Sequence, residues 1–351
     1  MRGIRQGILL AALLTAMGSA EAQTTGEAVP SLPWGLQTLY AETRMAAERQ
    51  WDDGAADHDA SGFRGQYLNL RIDGRLSTGL TFSYRQRFNK LTDRTFFDAT
   101  DWLHLDWQAT GHLRLGAGKQ VVAIGGYEYD RAPIDLYYCS EFWGNIACYQ
   151  LGVSATLIAS DHDQWLLQCC NSPFRLTAGN DTYAWNLLWQ GSHGCLETLW
   201  SANLLEYEQG HWISYVALGN KLHFGQRCHL ELDLMNRAAA HQAWLGRDVS
   251  VMAELSCQPT PAMRCYGKYT YDVNRSGTAS DLLVLDGTEL HGASLGIEWR
   301  AWEGRGCTEV RLFGATAYSW GTNANPTPYL PACRLQAQLG FRLRVGCQSH
   351  P

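Results

Sequence analysis

Arginine recurs at every second position in several segments, and its guanidinium group is the leading candidate for chemistry in this chain. A guanidinium group presents coplanar N–H donors that bind carboxylate or phosphate oxygens in pairs. A row of such groups on one face would concentrate anions and pass them between weak sites. The candidate anion path consists of Arg71, Arg85, Arg87, Arg114, Arg300, Arg311, Arg334, Arg342 and Arg344.

Acidic residues fall on the same faces as these arginines. Carboxylates in those positions would pair with the arginines and keep the surface hydrated. The pattern therefore leaves two alternatives open, an anion-selective path and an unselective aqueous path. The acidic residues concerned are Asp73, Asp106, Glu231, Asp233, Glu298 and Glu309.

The elements that carry these residues have the period of a β-strand. In the last of them, apolar residues at positions 335, 337, 339, 341, 343 and 345 alternate with polar residues or glycine. About fifteen such segments of roughly ten residues follow one another, which is the length of a tilted strand that crosses a bilayer. Strands of soluble domains are nearer to about six residues.

These strands predict an all-β fold, an antiparallel transmembrane β-barrel of about 16 strands with a long pore-constricting loop. Tryptophan and tyrosine recur near the strand ends, as an interfacial girdle requires. Because the last strand of a closed barrel pairs with the first, the arginines of both would share one wall. The alternative is an exported β-rich surface or binding protein without pore activity.

The N-terminal region predicts export and divides the chain into three parts. Residues 1–22 form a signal peptide, with Arg2 and Arg5 before an apolar stretch and an Ala-Glu-Ala cleavage site at 20–22. An N-terminal segment follows at 23–62, and the barrel occupies 63–351. Residues 36–51 are open to three interpretations: a helix, a first strand or disorder. Residues 52–61 indicate a small acidic linker, and Asp73-Gly74 indicates a hairpin turn.

Composition and motifs exclude several classes of protein. The net charge of −6 argues against a nucleic-acid partner, which selects a basic surface. No nucleophile elbow, zinc-protease or nucleotide-binding motif occurs, so we expect no enzyme, no catalytic residue, no metal site and no cofactor. Among the eleven cysteines, Cys139 and Cys148 form the one plausible loop disulfide.

Residues 113–154 carry a more specific pattern. A glycine-rich strand with Gly118-Lys119-Gln120 leads into GGYEYD at 125–130 and Pro133-Ile134-Asp135. Ser140-Glu141-Phe142 and YQLGVS at 149–154 follow. This stretch resembles the phosphate-selective porin O and P family. The resemblance implies a channel in the outer membrane of a Gram-negative bacterium for passive diffusion of small solutes, anions such as phosphate included.

The resemblance also implies a loop that folds into the pore. In this chain the constriction residues would be Tyr127, Glu128, Tyr129, Asp130, Arg131 and Asp135. Family members carry a lysine cluster there, whereas Arg131 is the single cation of this loop, which leaves phosphate specificity open. Some members are trimers, so the expected partners are small solutes or anions, outer-membrane lipid and further copies in a homotrimer. A barrel plugged by the loop or by residues 23–61 is a second alternative.

Overall fold

The computed structural model describes residues 35–91, 95–174, 181–239, 242, 246–324 and 333–348. Within them, sixteen antiparallel strands form one closed barrel in which β1 pairs with β16. The strands are β1 Gly35–Asp52, β2 Ala55–Ser77, β3 Leu80–Arg87, β4 Thr100–Gln108, β5 Leu113–Val121, β6 Tyr149–Ile158, β7 Asp163–Asn171, β8 Tyr183–His193, β9 Leu196–Glu208, β10 His211–Phe224, β11 Cys228–Ala239, β12 Asp248–Thr260, β13 Met263–Asn274, β14 Glu289–Glu303, β15 Glu309–Thr322 and β16 Cys333–Gln348.

Alternating side chains give the barrel an apolar outer face and a polar inner face. On β16, Leu339 is 71% exposed whereas its neighbour Gln338 is 7% exposed. Charged side chains such as Glu254 and Asp272 are buried inside the barrel, and exposed Leu and Trp side chains form the outer band. A soluble domain has its apolar side chains inside and its polar side chains outside. The opposite distribution is that of a transmembrane barrel, and it confirms the predicted fold class.

The two ends of the barrel differ. One end, the turn end, has short connections such as 194–195 and 261–262 and holds the start of β1 and the end of β16. The opposite end, the loop end, carries the long connections 122–148 and 275–288. Bacterial outer-membrane barrels have short periplasmic turns and longer extracellular loops. None of the helices in the described ranges is long and apolar enough to cross a membrane.

The first hairpin corrects the expected start of the barrel. Residues 36–51 are a strand, so the barrel begins at Gly35 rather than near Phe63. Ala and Glu favour helices in isolation, but pairing of β1 with both β2 and β16 overrides that propensity. The predicted signal peptide at 1–22 lies outside the described residues.

Two local predictions in this hairpin were wrong. The acidic segment 52–61 is not a linker, because Asp53 and Gly54 (φ 50° and 82°) form the turn that joins β1 to β2. Asp73-Gly74 is not a turn but lies within β2, which runs on to Ser77. The next reversal uses Gly79, whose φ of 85° suits a tight turn.

Two connections at the loop end fold into the barrel and build an apolar core there. The connection 122–148, here called the inner loop, contains helices α1 Tyr127–Asp130 and α2 Glu141–Asn145 and a 3-10 turn Pro133–Asp135; a further 3-10 turn is Phe88–Lys90. Phe142 of the inner loop is fully buried and contacts Tyr129 and Tyr215, with ring centroids 6.0 and 6.1 Å away. Leu283 and Val284 of the connection 275–288 join the same cluster. The inner loop is therefore held by packing as well as by polar contacts.

The disulfide differs from the expected one. Cys139 and Cys148 are free thiols, and the described disulfide joins Cys228 to Cys257. These two cysteines are register partners on β11 and β12, so strand pairing brings together residues 29 positions apart.

Candidate pore and inner loop

The first limb of the inner loop is anchored to the barrel wall by acidic side chains. The Asp233 carboxylate on β11 accepts the backbone N–H groups of Tyr127 and Glu128 at 2.9 and 2.8 Å. Arg131 forms ion pairs with Glu231 on β11 and with Glu254 on β12, the latter at 2.5 Å. Alternation places the carboxylates on the inner face, and the loop supplies their donors.

The tip of the inner loop reaches the wall formed by β1 and β16. Arg44 on β1 donates from Nη1 to the carbonyl oxygens of Ile134 and Leu136 at 2.8 and 2.7 Å. Arg342 on β16 binds the Asp135 carboxylate at 2.5 Å. Burial disfavours the charged form of Asp135, but the charge and hydrogen bond of Arg342 outweigh it and lower the pKa of that carboxyl.

A buried carboxylate ties the two limbs of the inner loop together. Glu128 accepts the backbone N–H of Ser140 at 3.0 Å and also binds the Ser140 hydroxyl and the Lys268 ammonium on β13. Asp272 on the same strand accepts the N–H of Glu141 at 2.8 Å. The inner loop thus spans the lumen from the wall of β9–β13 to the wall of β1 and β16.

Three cavities lie beside this crossing in the described part of the chain. Between the inner loop and strands β2–β7 lies the arginine chamber, about 370 Å³, lined by Tyr67, Arg87, Asp101, Pro133 and Tyr149 among others. Between the inner loop and strands β13–β16, β1 and β2 lies the amide pocket, about 450 Å³. A third cavity of about 400 Å³, the lower cavity, lies nearer the turn end beside Arg71, Asp73 and Trp102.

A compact layer of side chains separates the arginine chamber from the lower cavity. Arg85 stacks on the Trp102 ring at 3.8 Å and donates to the Tyr149 hydroxyl at 2.6 Å. Arg85 and Arg87 both bind the single carboxylate of Asp101, at 2.8 and 2.9 Å. In the described part of the chain, no carboxylate lies within ion-pair distance of Arg44. Positive charge is therefore in excess around Arg44, Arg85 and Arg87.

Six of the other seven arginines of the candidate path have carboxylate partners among the described residues. Arg71 pairs with Asp73, Arg334 with Asp52, and Arg311 with Glu298 and Glu309. Arg342 and Arg344 share Glu42. Arg300 binds Glu303 and the carbonyl of Pro261 beside a turn, and Arg114 lies across from Gln108 on β4.

The candidate constriction residues have different environments. Tyr129 is buried in the apolar core, and Glu128 and Arg131 hold the loop in place. Asp130 is exposed, and the Tyr127 ring lies 4.3 Å from the Lys221 ammonium. Asp135 binds the wall. Most of these residues shape the inner loop rather than line an opening.

Sequence reasoning missed three residues that define the site. Arg44 was overlooked because residues 36–51 were open to a helical interpretation. Asp101 lies at a bulge between Arg85/Trp102 and Gln86/Thr100, which interrupts simple alternation. Lys268 lies on a strand with weak periodicity. Glu42, Arg44, Glu48 and Gln50 fall on one face at the period of a strand, which was the available signal for β1.

A closed sixteen-stranded barrel with an inward-folded loop defines the outer-membrane porin class, a class of channels rather than enzymes. Residues 42–199 match the family model of phosphate-selective porin O and P, which confirms the resemblance over that segment, less than half of the chain. None of the curated proteins compared with the chain matches it.

Solved porin structures share the fold. An anion-selective porin from Comamonas acidovorans has a TM-score of 0.63 at 11% identity, covering 89% of this chain and 100% of that one. OmpT, an outer membrane protein of Vibrio cholerae, has a TM-score of 0.58 at 13% identity, covering 91% and 100%. A mutant of the Rh. blastica porin has a TM-score of 0.51 at 13% identity, covering 89% and 100%. At these identities the likeness shows the fold alone.

Proposed function

We propose that this protein is a porin of a Gram-negative outer membrane through which small hydrophilic solutes diffuse passively, and that anions cross through the arginine chamber. The observation that carries the anion path is the shared carboxylate of Asp101, which two buried arginines must divide between them. Arg44 adds a third guanidinium group nearby, since Arg44 and Arg87 both lie over the Tyr67 ring, at 4.6 and 5.4 Å.

The proposed route runs from the arginine chamber to the lower cavity. The layer of Arg85, Trp102 and Tyr149 between them is the narrow point, and an anion there would meet Arg85 after leaving Arg87. Charge at such a point controls selectivity strongly, because low-dielectric walls focus the field. The inner loop sets the size limit by crossing the lumen beside this route. A homotrimer in outer-membrane lipid is the proposed assembly.

The experiment is a reversal-potential measurement in a planar bilayer under a salt gradient. Arg87→Gln should lower anion preference, whereas Asp101→Asn removes the shared counter-charge and should raise it. Arg300→Gln, which changes a charge at the turn end, is the matched control and should leave the reversal potential close to that of the native protein. Equal shifts in the same direction for Arg87→Gln and Asp101→Asn, or no shift in either, would refute the anion path.

A further inference from the structure

The amide pocket differs chemically from the arginine chamber, although the same loop borders both. Four glutamines line one side of it: Gln50 on β1, Gln66 on β2, and Gln336 and Gln338 on β16. Gln336 donates to Gln50 at 2.9 Å, and Gln66 donates to Gln338 at 2.7 Å. The side chains form a row of two hydrogen-bonded amide pairs across three adjacent strands.

Most of the charged groups that line the pocket have ion-pair partners, Arg64 with Glu48 at 3.3 Å among them, and the Glu141 carboxylate accepts from the Asn145 amide at 2.7 Å. Arg334 at the rim binds both carboxylate oxygens of Asp52, at 2.8 and 3.0 Å. Lys268 at the floor is paired with Glu128. Arg49 falls in the outward alternation of β1, with the exposed residues Met45 and Ala47. A free anion entering the pocket would therefore have to compete with carboxylates already in place.

The opposite wall is uncharged and recessed. It presents the hydroxyl-bearing residues Thr270, Ser294 and Ser319 on β13, β14 and β15, together with Gly292. A Cβ atom at Gly292 would lie 2.5 Å from the Thr270 hydroxyl oxygen, so glycine keeps that space open. Amides and hydroxyls both donate and accept hydrogen bonds, as the hydroxyl groups of a sugar do.

We propose that the amide pocket binds a neutral, polyhydroxylated solute of the size of a mono- or disaccharide. A volume of about 450 Å³ lies within the range of small-molecule sites. Tyr138 of the inner loop also lines the pocket. Burial raises the pKa of its phenol to about 12, so it remains a donor at neutral pH. The proposal rests on the porin assignment, because a solute reaches the pocket from the loop end.

Isothermal titration of maltose into the detergent-solubilised full chain tests the site. We expect saturable binding to the native protein, and at least tenfold weaker binding to a Gln66→Leu/Gln338→Leu variant. Ser319→Trp, which fills the pocket from the opposite wall without touching the amide row, should also weaken binding at least tenfold. Gln150→Leu is the matched control, since Gln150 lines the arginine chamber, and it should bind like the native protein.

The same preparations distinguish this proposal from the proposed function. No saturable binding of maltose to the native protein would overturn the amide pocket as a sugar site, and discrete conductance steps from that sample would leave the porin assignment standing. Saturable binding of maltose without conductance steps would support the amide pocket as a sugar site and would refute the porin assignment. Competition by inorganic phosphate at equal concentration would also overturn the proposal, because it would show that the pocket selects charge.

Discussion

Arg44 on β1 and Arg342 on β16 are direct register partners, and both hold the same tip of the inner loop. Arg44 binds two backbone carbonyls of the tip, and Arg342 binds its carboxylate at Asp135. The strand pair that closes the barrel is therefore also the pair that fixes the crossing of the lumen. Closure of the barrel and constriction of the pore are coupled at one point.

Replacing Arg44 should release the loop tip. Arg44→Ala removes two hydrogen bonds from a charged donor, each of which contributes about 1.5–3 kcal/mol in typical proteins. We expect a larger mean single-channel conductance and more open-channel noise. Arg114→Ala serves as the control, because Arg114 lies near a turn away from the tip. Native-like noise in Arg44→Ala would show that the Arg44 hydrogen bonds are not needed to hold the tip.

The Glu128–Lys268 pair should behave as a buried ion pair in urea unfolding. Both side chains are 3% exposed, so loss of one partner leaves an uncompensated charge. Lys268→Met alone should destabilise the folded barrel by about 3–5 kcal/mol. The double variant Glu128→Gln/Lys268→Met should recover most of that loss, since no buried charge remains. Additive losses in the double variant would contradict this explanation.

Phe142 should control the order of the inner loop. Phe142→Ala opens a cavity in the core between the loop and the wall, and large-to-small changes of this kind cost about 3–5 kcal/mol. Hydrogen exchange should rise within residues 122–148 and stay low in β14 and β15. The exposed, lipid-facing Leu339→Ala provides the comparison. Uniform exchange across the barrel would show that the loop and strands unfold as one unit.

Acid should loosen the loop tip through Asp135. The folded-state pKa of this carboxyl is lowered, so its contribution to stability is complete above the unfolded pKa of about 3.9 and is lost as pH falls through the lower folded value. Open-channel noise should therefore stay constant from neutral pH to about pH 4 and rise below it.

The Arg342→Gln variant provides the control for this pH dependence. Arg342 is the group that most strongly opposes the effect of burial on Asp135, so its loss should raise the pKa of that carboxyl, and the noise should rise at higher pH than in the native protein. If the noise of the native protein and of Arg342→Gln depended on pH in the same way, Asp135 would not be the group that loosens the loop tip.

The period of the sequence determined the barrel itself. Residues 335–345 alternate between apolar and polar residues or glycine so regularly that they indicate a strand with one apolar face. The same alternation places the arginines at 85, 87, 342 and 344 on the inner face. The inner loop was identifiable because its sequence resembles a family segment. These features are local, since a strand's two faces are encoded by adjacent residues.

The tertiary structure alone decided which of these charges remain in excess. Arg44 meets Ile134, 90 residues away, and Arg342 meets Asp135, 207 residues away. Asp101 is shared by two arginines because a bulge turns it inward. Sequence order gives the face on which a charge lies. The neutralising partner depends on where a folded loop crosses the lumen, a distance in space that alternation does not encode.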